Sequence, residues 1–333
     1  MLDGCYKVTE GYIFNSVQNL DITICSVYHS LEAKRLLELN YDLVQKMNPN
    51  IQIQWIVADN TPKGFTDKIN ENKFTIVPGA DGFQPVPDWL IGSYHHSEAI
   101  NNSLKHITTR FAVFLDIDFY ILRKNWMRIV LAHMQKNDLA LFGVPWHPVH
   151  IKKIRYFPCP HALFVDLKKV PISQIDFRPD YDAIMLCPTL AGRLARSMHK
   201  TKHAISKRLG IGTSRDTGFR IYGRLRSAVS FECLTPVFVP ATDLPHIPEA
   251  ASMWERIMPD RFSYIPKKSG YYTEQGFHSA GFTDARREHW EEFMWQEKPY
   301  GFHVRGTNKL KNDLESRIKV IKDILNSFGK GVS

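Results

Sequence analysis

The chain has 333 residues, 44% hydrophobic and 23% charged, with 43 Lys and Arg against 34 Asp and Glu, a formal net charge of +9. This composition is that of a globular protein and excludes the disordered, collagen-like and coiled-coil classes, while the length allows one large α/β domain with an appended lobe, or two domains. No apolar run approaches the roughly 18 to 20 residues of a membrane helix, and the opening MLDGCYKVTEGYIF has no basic segment before a long apolar core, so neither anchor nor signal peptide is expected. The five cysteines (Cys5, Cys25, Cys159, Cys187 and Cys233) are odd in number and widely spaced, with no C-x-x-C pair. That usage fits a reducing cytoplasm and argues against a cysteine-based zinc site.

In chain order, DITICSVYHS from Asp21 reads as a strand buried on both faces. A helix follows, with Ser30 as its N-cap and Leu36, Leu37, Leu43, Val44 and Met47 at helical spacing, until Asn48-Pro49 stops it. IQIQWIVADN is a second strand, ending at Asp59, and FTIVPG a third. A loop through Gly79, Gly82, Pro85 and Pro87 leads to a helix near Ser93 to Ile107 and then to the strand FAVFLDIDF. A helix from about Asn125 to Gln135 and the strand LALFGV continue the alternation, which predicts a mostly parallel sheet covered by helices. Right-handed crossovers then bring the C-terminal strand ends to one edge, where open α/β sheets bind ligands. Beyond residue 144 the pattern loosens. The stretch from Trp146 to Asp166 reads as a hairpin or β-ribbon, residues 189 to 209 as a basic amphipathic helix, and Asp284 to Glu297 and Lys309 to Leu325 as two further helices.

The sharpest chemical feature is Asp116-Ile117-Asp118, directly after the apolar run Phe111 to Leu115. On a strand that bends at its end, two carboxylates at i and i+2 can reach one divalent cation; the same residues also serve as a solvated turn. Asp59 offers another carboxylate at the same sheet edge, as a ligand for a base or ribose or as a loop cap.

With these residues in place the chain resembles the GT-A glycosyltransferases of the family 2 type over roughly residues 20 to 225. The resemblance lies in the first strand, a strand ending in Asp, the D-x-D after an apolar strand, and Trp126 shortly after it. It implies a GT-A-like, Rossmann-type α/β domain with a C-terminal helical extension. The implied divisions are an N-terminal arm (1–18), a catalytic domain (19–240, its nucleotide-sugar half to about 120) and an extension (241–333) packing back on the site. It also implies a metal-dependent, inverting transferase using a nucleotide-diphosphate sugar, a UDP-sugar above all, with Mn²⁺ or Mg²⁺, to extend a glycan or lipid-linked glycan. Carried over residue by residue, Asp116 and Asp118 would hold the metal and diphosphate and Asp59 the nucleoside. His303 would complete the metal shell, and Arg305 would reach the diphosphate. Two departures stand out: the Asn-rich approach to D-x-D survives only as Glu98, Ala99, Asn101 and Asn102, and the later acidic motif appears as Ser214-Arg215-Asp216 without its first acid. Asp216 would then be the catalytic base, or an N-cap of the following helix, or both. His147, His150 and His161 read as pocket walls, and Trp146 as a platform for an acceptor sugar.

Between Arg193 and Arg226 there are ten Lys and Arg and one acid. Leu190, Leu194, Met198, Ile205 and Leu209 form a stripe opposite Arg193, Arg196, Lys200, Lys207 and Arg208, either an ordinary packed face or a surface for anionic lipid or a phosphate-bearing acceptor. The expected location is therefore the cytoplasm, with peripheral attachment to the membrane face. A nucleic-acid partner is not expected, since no zinc finger or RNP pattern accompanies the charge. A nucleotidyltransferase acting on a sugar phosphate is the alternative enzyme, but its Gly-rich phosphate loop is missing from Ser26-Val27-Tyr28-His29-Ser30. A dehydrogenase fails on the absent G-x-G-x-x-G. A non-catalytic carbohydrate- or membrane-binding protein of the same fold remains.

Overall fold

A computed structural model describes residues 18–61, 72–80, 91–150, 156–179, 185, 189–209, 216–239, 271–305 and 314–330. Gly82, Pro85 and Pro87 of the expected loop, the Ser214-Arg215 pair and the whole 241–270 span lie outside them.

β1 (Gln18–Tyr28) is the strand expected from Asp21, and from Ile22 to Tyr28 every side chain is buried. Ser30 caps α1 (Leu31–Met47) by accepting from Ala33 N at 3.2 Å. The helix buries Leu36, Leu37, Leu43 and Val44, and Asn48 ends it. β2 (Ile51–Asp59), β3 (Thr75–Pro78), α2 (Ile91–Leu104), β4 (Phe111–Leu115), α3 (Trp126–Lys136) and β6 (Leu141–Pro145) follow the predicted alternation. The central sheet has seven strands in the order β3-β2-β1-β4-β7-β6-β8, where β7 is Pro158–Asp166 and β8 is Phe231–Cys233. All its pairings are parallel except those of β7 with β4 and β6. The fold is thus the mixed α/β architecture expected, with a mostly parallel central sheet. Polar side chains link its central strands: buried Trp55 donates Nε1 to Ser26 Oγ at 3.0 Å, and Ser26 donates to Leu115 O at 2.6 Å, tying β2, β1 and β4 together.

Three expectations are corrected. The run Phe111 to Phe119 is not one strand: the chain turns at Asp116, with Phe119 N bonded to Asp116 O at 3.0 Å, and β5 (Phe119–Ile121) enters a second sheet. That sheet has the order β5-β11-β10-β9, with β9 Thr235–Pro236, β10 Glu291–Trp295 and β11 Lys298–His303. Its hairpin replaces the helix expected over Asp284 to Glu297, of which only a 3₁₀ turn at Ala285–Glu288 forms. The reason is the two-residue turn Gln296-Glu297, both at positive φ (51° and 61°). This is the hairpin geometry usually announced by Asn-Gly, and Gln-Glu gives no such signal. Among the described residues, the C-terminal extension accordingly contains this hairpin and, after it, the helix α6 (Leu314–Lys330). Of the hairpin or ribbon expected between Trp146 and Asp166, the described part is the single strand β7, inserted antiparallel between β4 and β6.

α4 (Leu190–Leu209) forms as predicted, but Leu190, Leu194 and Met198 of its apolar stripe face outward, the side chains of Ile205 and Leu209 lying outside those described. Leu190, Leu194 and Met198 are 67%, 57% and 73% exposed, while Gly192 is buried and Ala195 and His199 are partly so. Arg196 is turned toward the protein and donates to Met185 O at 2.5 Å. No helix among the described residues is long and apolar enough to cross a membrane.

Candidate active site at the junction of the two sheets

The turn Asp116-Ile117-Asp118 joins the two sheets, and each sheet delivers one histidine to it. In the central sheet, Asp116 N donates to His161 O at 3.0 Å, so His161 on β7 is the cross-strand neighbour of Asp116. His161 Nδ1 then lies 2.5 Å from Asp116 Oδ2. In the small sheet, His303 pairs with Phe119 and Val304 N donates to Asp118 O at 3.0 Å, which sets His303 Nε2 3.2 Å from Asp118 Oδ1 and 3.9 Å from Asp116 Oδ2. Two details allow this closeness. A Cβ at Gly301 would lie 2.6 Å from Tyr120 O, so only glycine lets β11 approach β5 there. Asn40, buried on α1, donates Nδ2 to Ile117 O at 3.3 Å and Phe119 O at 2.9 Å, clamping the peptides on either side of Asp118.

Asp116, Asp118, His161 and His303 line a cavity of about 510 Å³ together with Val27 at the end of β1, His29 after it, Asn60 after β2, Ser93 and His96 on α2, Trp146, Asp216, Thr217 and Arg305. His96 Nε2 stands 3.5 Å from Asp116 Oδ1. Arg305 extends its guanidinium 5.8 Å from the Trp146 ring, which meets His161 edge-on at 4.5 Å. Asp216 accepts from Thr217 N at 2.8 Å and from the Ser93 hydroxyl. It does not cap the next helix: α5 (Phe219–Leu225) has Gly218 at its N-cap, without a side-chain bond. Asp59 binds Thr61 N and Oγ1 at 2.9 and 2.6 Å in a turn, and its neighbour Asn60, not Asp59, lines the cavity. His147 is buried against Val237 O.

Burial would raise the Asp116 pKa, but His161, His96 and His303 outweigh it and hold the carboxyl well below its usual range. Burial and the neighbouring His303 push His161 down to about 4, so it is neutral. For His303, burial and Arg305 favour the neutral ring, yet Asp118 and Glu291 prevail and raise it to about 9. The site is therefore anionic, carboxylates predominating over Arg305 and one imidazolium. Oxygen and nitrogen atoms of Asp116, His161 and His303 all lie within 4.8 Å of one another, a grouping able to hold a metal ion. One carboxylate and two imidazoles suit Mn²⁺ better than Mg²⁺, which prefers oxygen.

The sequence placed Asp116, Asp118, His303, Arg305, Asp216 and Trp146, and the fold brings all six to one cavity. It took His161 for a wall and did not single out His96, Ser93 or Glu291. No local pattern marks these residues, since His161 and Glu291 reach the site through strand register and Ser93 and His96 through the packing of α2 on the sheet.

No protein-family model matches the chain, and no curated protein does. Among solved structures it is similar to S. aureus TarS, at 14% identity and TM-score 0.33 over 47% of this chain and 30% of that one. It is similar also to the galactosyltransferase LgtC in complex with donor and acceptor sugar analogues, at 13% identity and TM-score 0.36 over 63% and 72%. A third likeness is to the mannosyltransferase PcManGT from Pyrobaculum calidifontis in complex with GDP-Man and Mn²⁺, at 12% identity and TM-score 0.33 over 72% and 75%. The chain thus matches less than a third of the length of TarS. What the fold and site define is a mixed α/β protein with a carboxylate–histidine cluster at the turn that leaves β4 of its mostly parallel sheet.

Proposed function

We propose that the protein is a metal-dependent, inverting glycosyltransferase that takes a sugar from a nucleotide-diphosphate donor, a UDP-sugar by preference, to a glycan or lipid-linked glycan. The observation that carries this reading is the shared cavity: the anionic cluster of Asp116, Asp118, His161 and His303 and the separately held carboxylate of Asp216 line the same space. Asp116, His161 and His303, with Asp118 beside them, would hold Mn²⁺ or Mg²⁺. When bound, the cation supplies charge neutralisation for a departing diphosphate. Asp59 and Asn60 stand at the strand edge where the nucleoside would sit, and Arg305 presents a fixed cation for the diphosphate.

In the transfer step Asp216 takes the proton of the acceptor hydroxyl as that oxygen bonds to the anomeric carbon. The bond from that carbon to the diphosphate oxygen breaks, and its electron pair leaves with the diphosphate, toward Arg305. Attack from the face opposite the leaving group inverts the anomeric centre. Ser93 and Thr217 orient Asp216 by donating to it. Trp146 offers little open ring surface, being 7% exposed, so its part is to back His161 and Arg305 more than to stack a sugar.

Titrating a panel of nucleotide sugars with and without Mn²⁺ against thermal unfolding tests the reading, because a bound donor stabilises the folded chain. A Mn²⁺-dependent rise in melting temperature with one donor, followed by release of its nucleotide diphosphate, is expected. Stabilisation by a donor without turnover on any acceptor would favour a carbohydrate-binding protein.

The outward stripe of α4 favours an additional surface role, peripheral attachment to the anionic cytoplasmic face of a membrane. Leu190, Leu194 and Met198 account for three of the four large hydrophobic side chains exposed among the described residues, and Arg193 and Lys200 flank them.

A further inference from the structure

Glu291 lies outside every motif of the sequence, yet it touches two of the groups on which the proposed reaction depends. It is 2% exposed, at the start of β10, directly across the hairpin from His303. Its Oε2 is 3.2 Å from His303 Nδ1, and its Oε1 accepts from Arg305 Nε at 2.6 Å and bonds His150 Nε2 at 2.6 Å. A carboxylate sunk this deeply is an expensive way to hold two strands together, since a well-packed apolar pair commonly does as well. What it does provide is direction. With Nδ1 committed to Glu291, His303 can offer only Nε2 to the Asp116-Ile117-Asp118 turn. With Nε committed, Arg305 projects its terminal nitrogens into the cavity, one of them 3.5 Å from His161 Nε2.

We propose that Glu291 is the positioning residue of this site: one buried carboxylate fixes the ring orientation of His303, the tautomer that ring would take on losing its Nε2 proton, and the direction of the Arg305 guanidinium together. The proposal rests on the metal-dependent reading above and deepens it. Histidine ligands whose second nitrogen is bonded to a carboxylate hold a metal in a set orientation, and loss of the carboxylate typically weakens the metal about 10- to 100-fold. Arg305 reorients with the same loss, so diphosphate affinity should fall together with metal affinity in one variant.

The test is direct Mn²⁺ binding, read from the electron paramagnetic resonance signal of free Mn²⁺, for the wild type, Glu291→Gln and Glu291→Asp, alongside UDP binding in saturating Mn²⁺. Expected are a loss of about 10- to 100-fold in Mn²⁺ affinity for E291Q with cooperative melting retained, a weaker UDP complex, and partial recovery in E291D, which keeps the charge. Wild-type affinity in E291Q would overturn the positioning role, whereas a wild type that binds no Mn²⁺ would sink the metal-dependent reading instead. A measurement on the unmutated chain covers the case in which E291Q does not fold. In protein labelled with ¹⁵N-histidine and loaded with ¹¹³Cd²⁺, metal coupling should fall on His303 Nε2 while Nδ1 keeps its proton. Coupling on Nδ1 overturns the proposal.

Discussion

Asp116 and His161 are joined twice, by backbone and by side chain: the Asp116 amide donates to the His161 carbonyl at 3.0 Å, and His161 Nδ1 meets Asp116 Oδ2 at 2.5 Å. The relationship exists because β7 runs antiparallel to β4, with Leu115 opposite Ala162, so the residue after β4 faces the residue before Ala162. A parallel strand in that place would have put its other end beside the turn.

Replacing Asp118 by Asn removes the charge that faces His303 Nε2 while keeping the side-chain shape. Mn²⁺-dependent donor affinity should fall about tenfold or more, with a melting temperature close to that of the wild type. Isothermal titration with donor and Mn²⁺ checks this, and unchanged affinity would remove Asp118 from the metal-diphosphate site.

Asp216→Asn tests the base. The amide oxygen can still accept from Thr217 N, so the local turn should survive, but the group can no longer take a proton. Turnover should drop about 10²- to 10⁴-fold while donor binding persists. Near-normal turnover would leave Asp216 a structural residue and reopen the choice between inverting and retaining chemistry.

Attachment through α4 should depend on salt. Each Lys or Arg near an anionic surface contributes about 1 kcal/mol, screened over roughly 8 Å at physiological ionic strength. Binding to phosphatidylserine vesicles in flotation should weaken as salt rises, and fall further when Arg193 and Lys200 are reversed in charge or Leu194→Asp is introduced. Arg196 is a poor choice for reversal because it bonds Met185 O. Vesicle binding that ignores all these changes would exclude the helix as the docking face.

Glu292, the neighbour of Glu291, gives a pH-dependent stability. It is fully buried and accepts from Phe277 N at 2.9 Å and Ala285 N at 2.7 Å. Burial raises its pKa from 4.5 to about 7, the two amides opposing and the Asp284 carboxylate assisting. A carboxyl whose folded pKa exceeds its unfolded one favours folding when protonated, so this contribution is complete below pH 4.5 and is lost as pH rises through about 7. The loss between pH 5 and 8 should be on the order of 2 kcal/mol. Urea midpoints of the wild type and E292Q at both pH values isolate it, because His303 titrates in both. An equal slope in the two proteins would show that Glu292 does not titrate in this window.

Local sequence sufficed for the N-terminal half of the fold. The β-branched run of β1, the Ser30 cap and the apolar spacing of α1 each express a preference acting over a few residues, and the structure follows them. Asp116, Asp118 and Asp216 were legible for a similar reason, since acids directly after apolar strands or in a basic stretch stand out in one dimension. Tertiary structure alone decided the rest. The Asp284 to Glu297 segment reads as a helix, yet the positive-φ Gln296-Glu297 turn folds it into a hairpin, and that hairpin puts Glu291 opposite His303. The outward face of α4 was equally hidden, because periodicity reports that a helix has an apolar side and not which way that side is turned. The pairing of Asp116 with His161 and of Glu291 with His303 depends on strand direction and register between segments 45 and 12 residues apart. Register is fixed by packing across the whole sheet, where a slip of one residue would send each of these side chains to the opposite face.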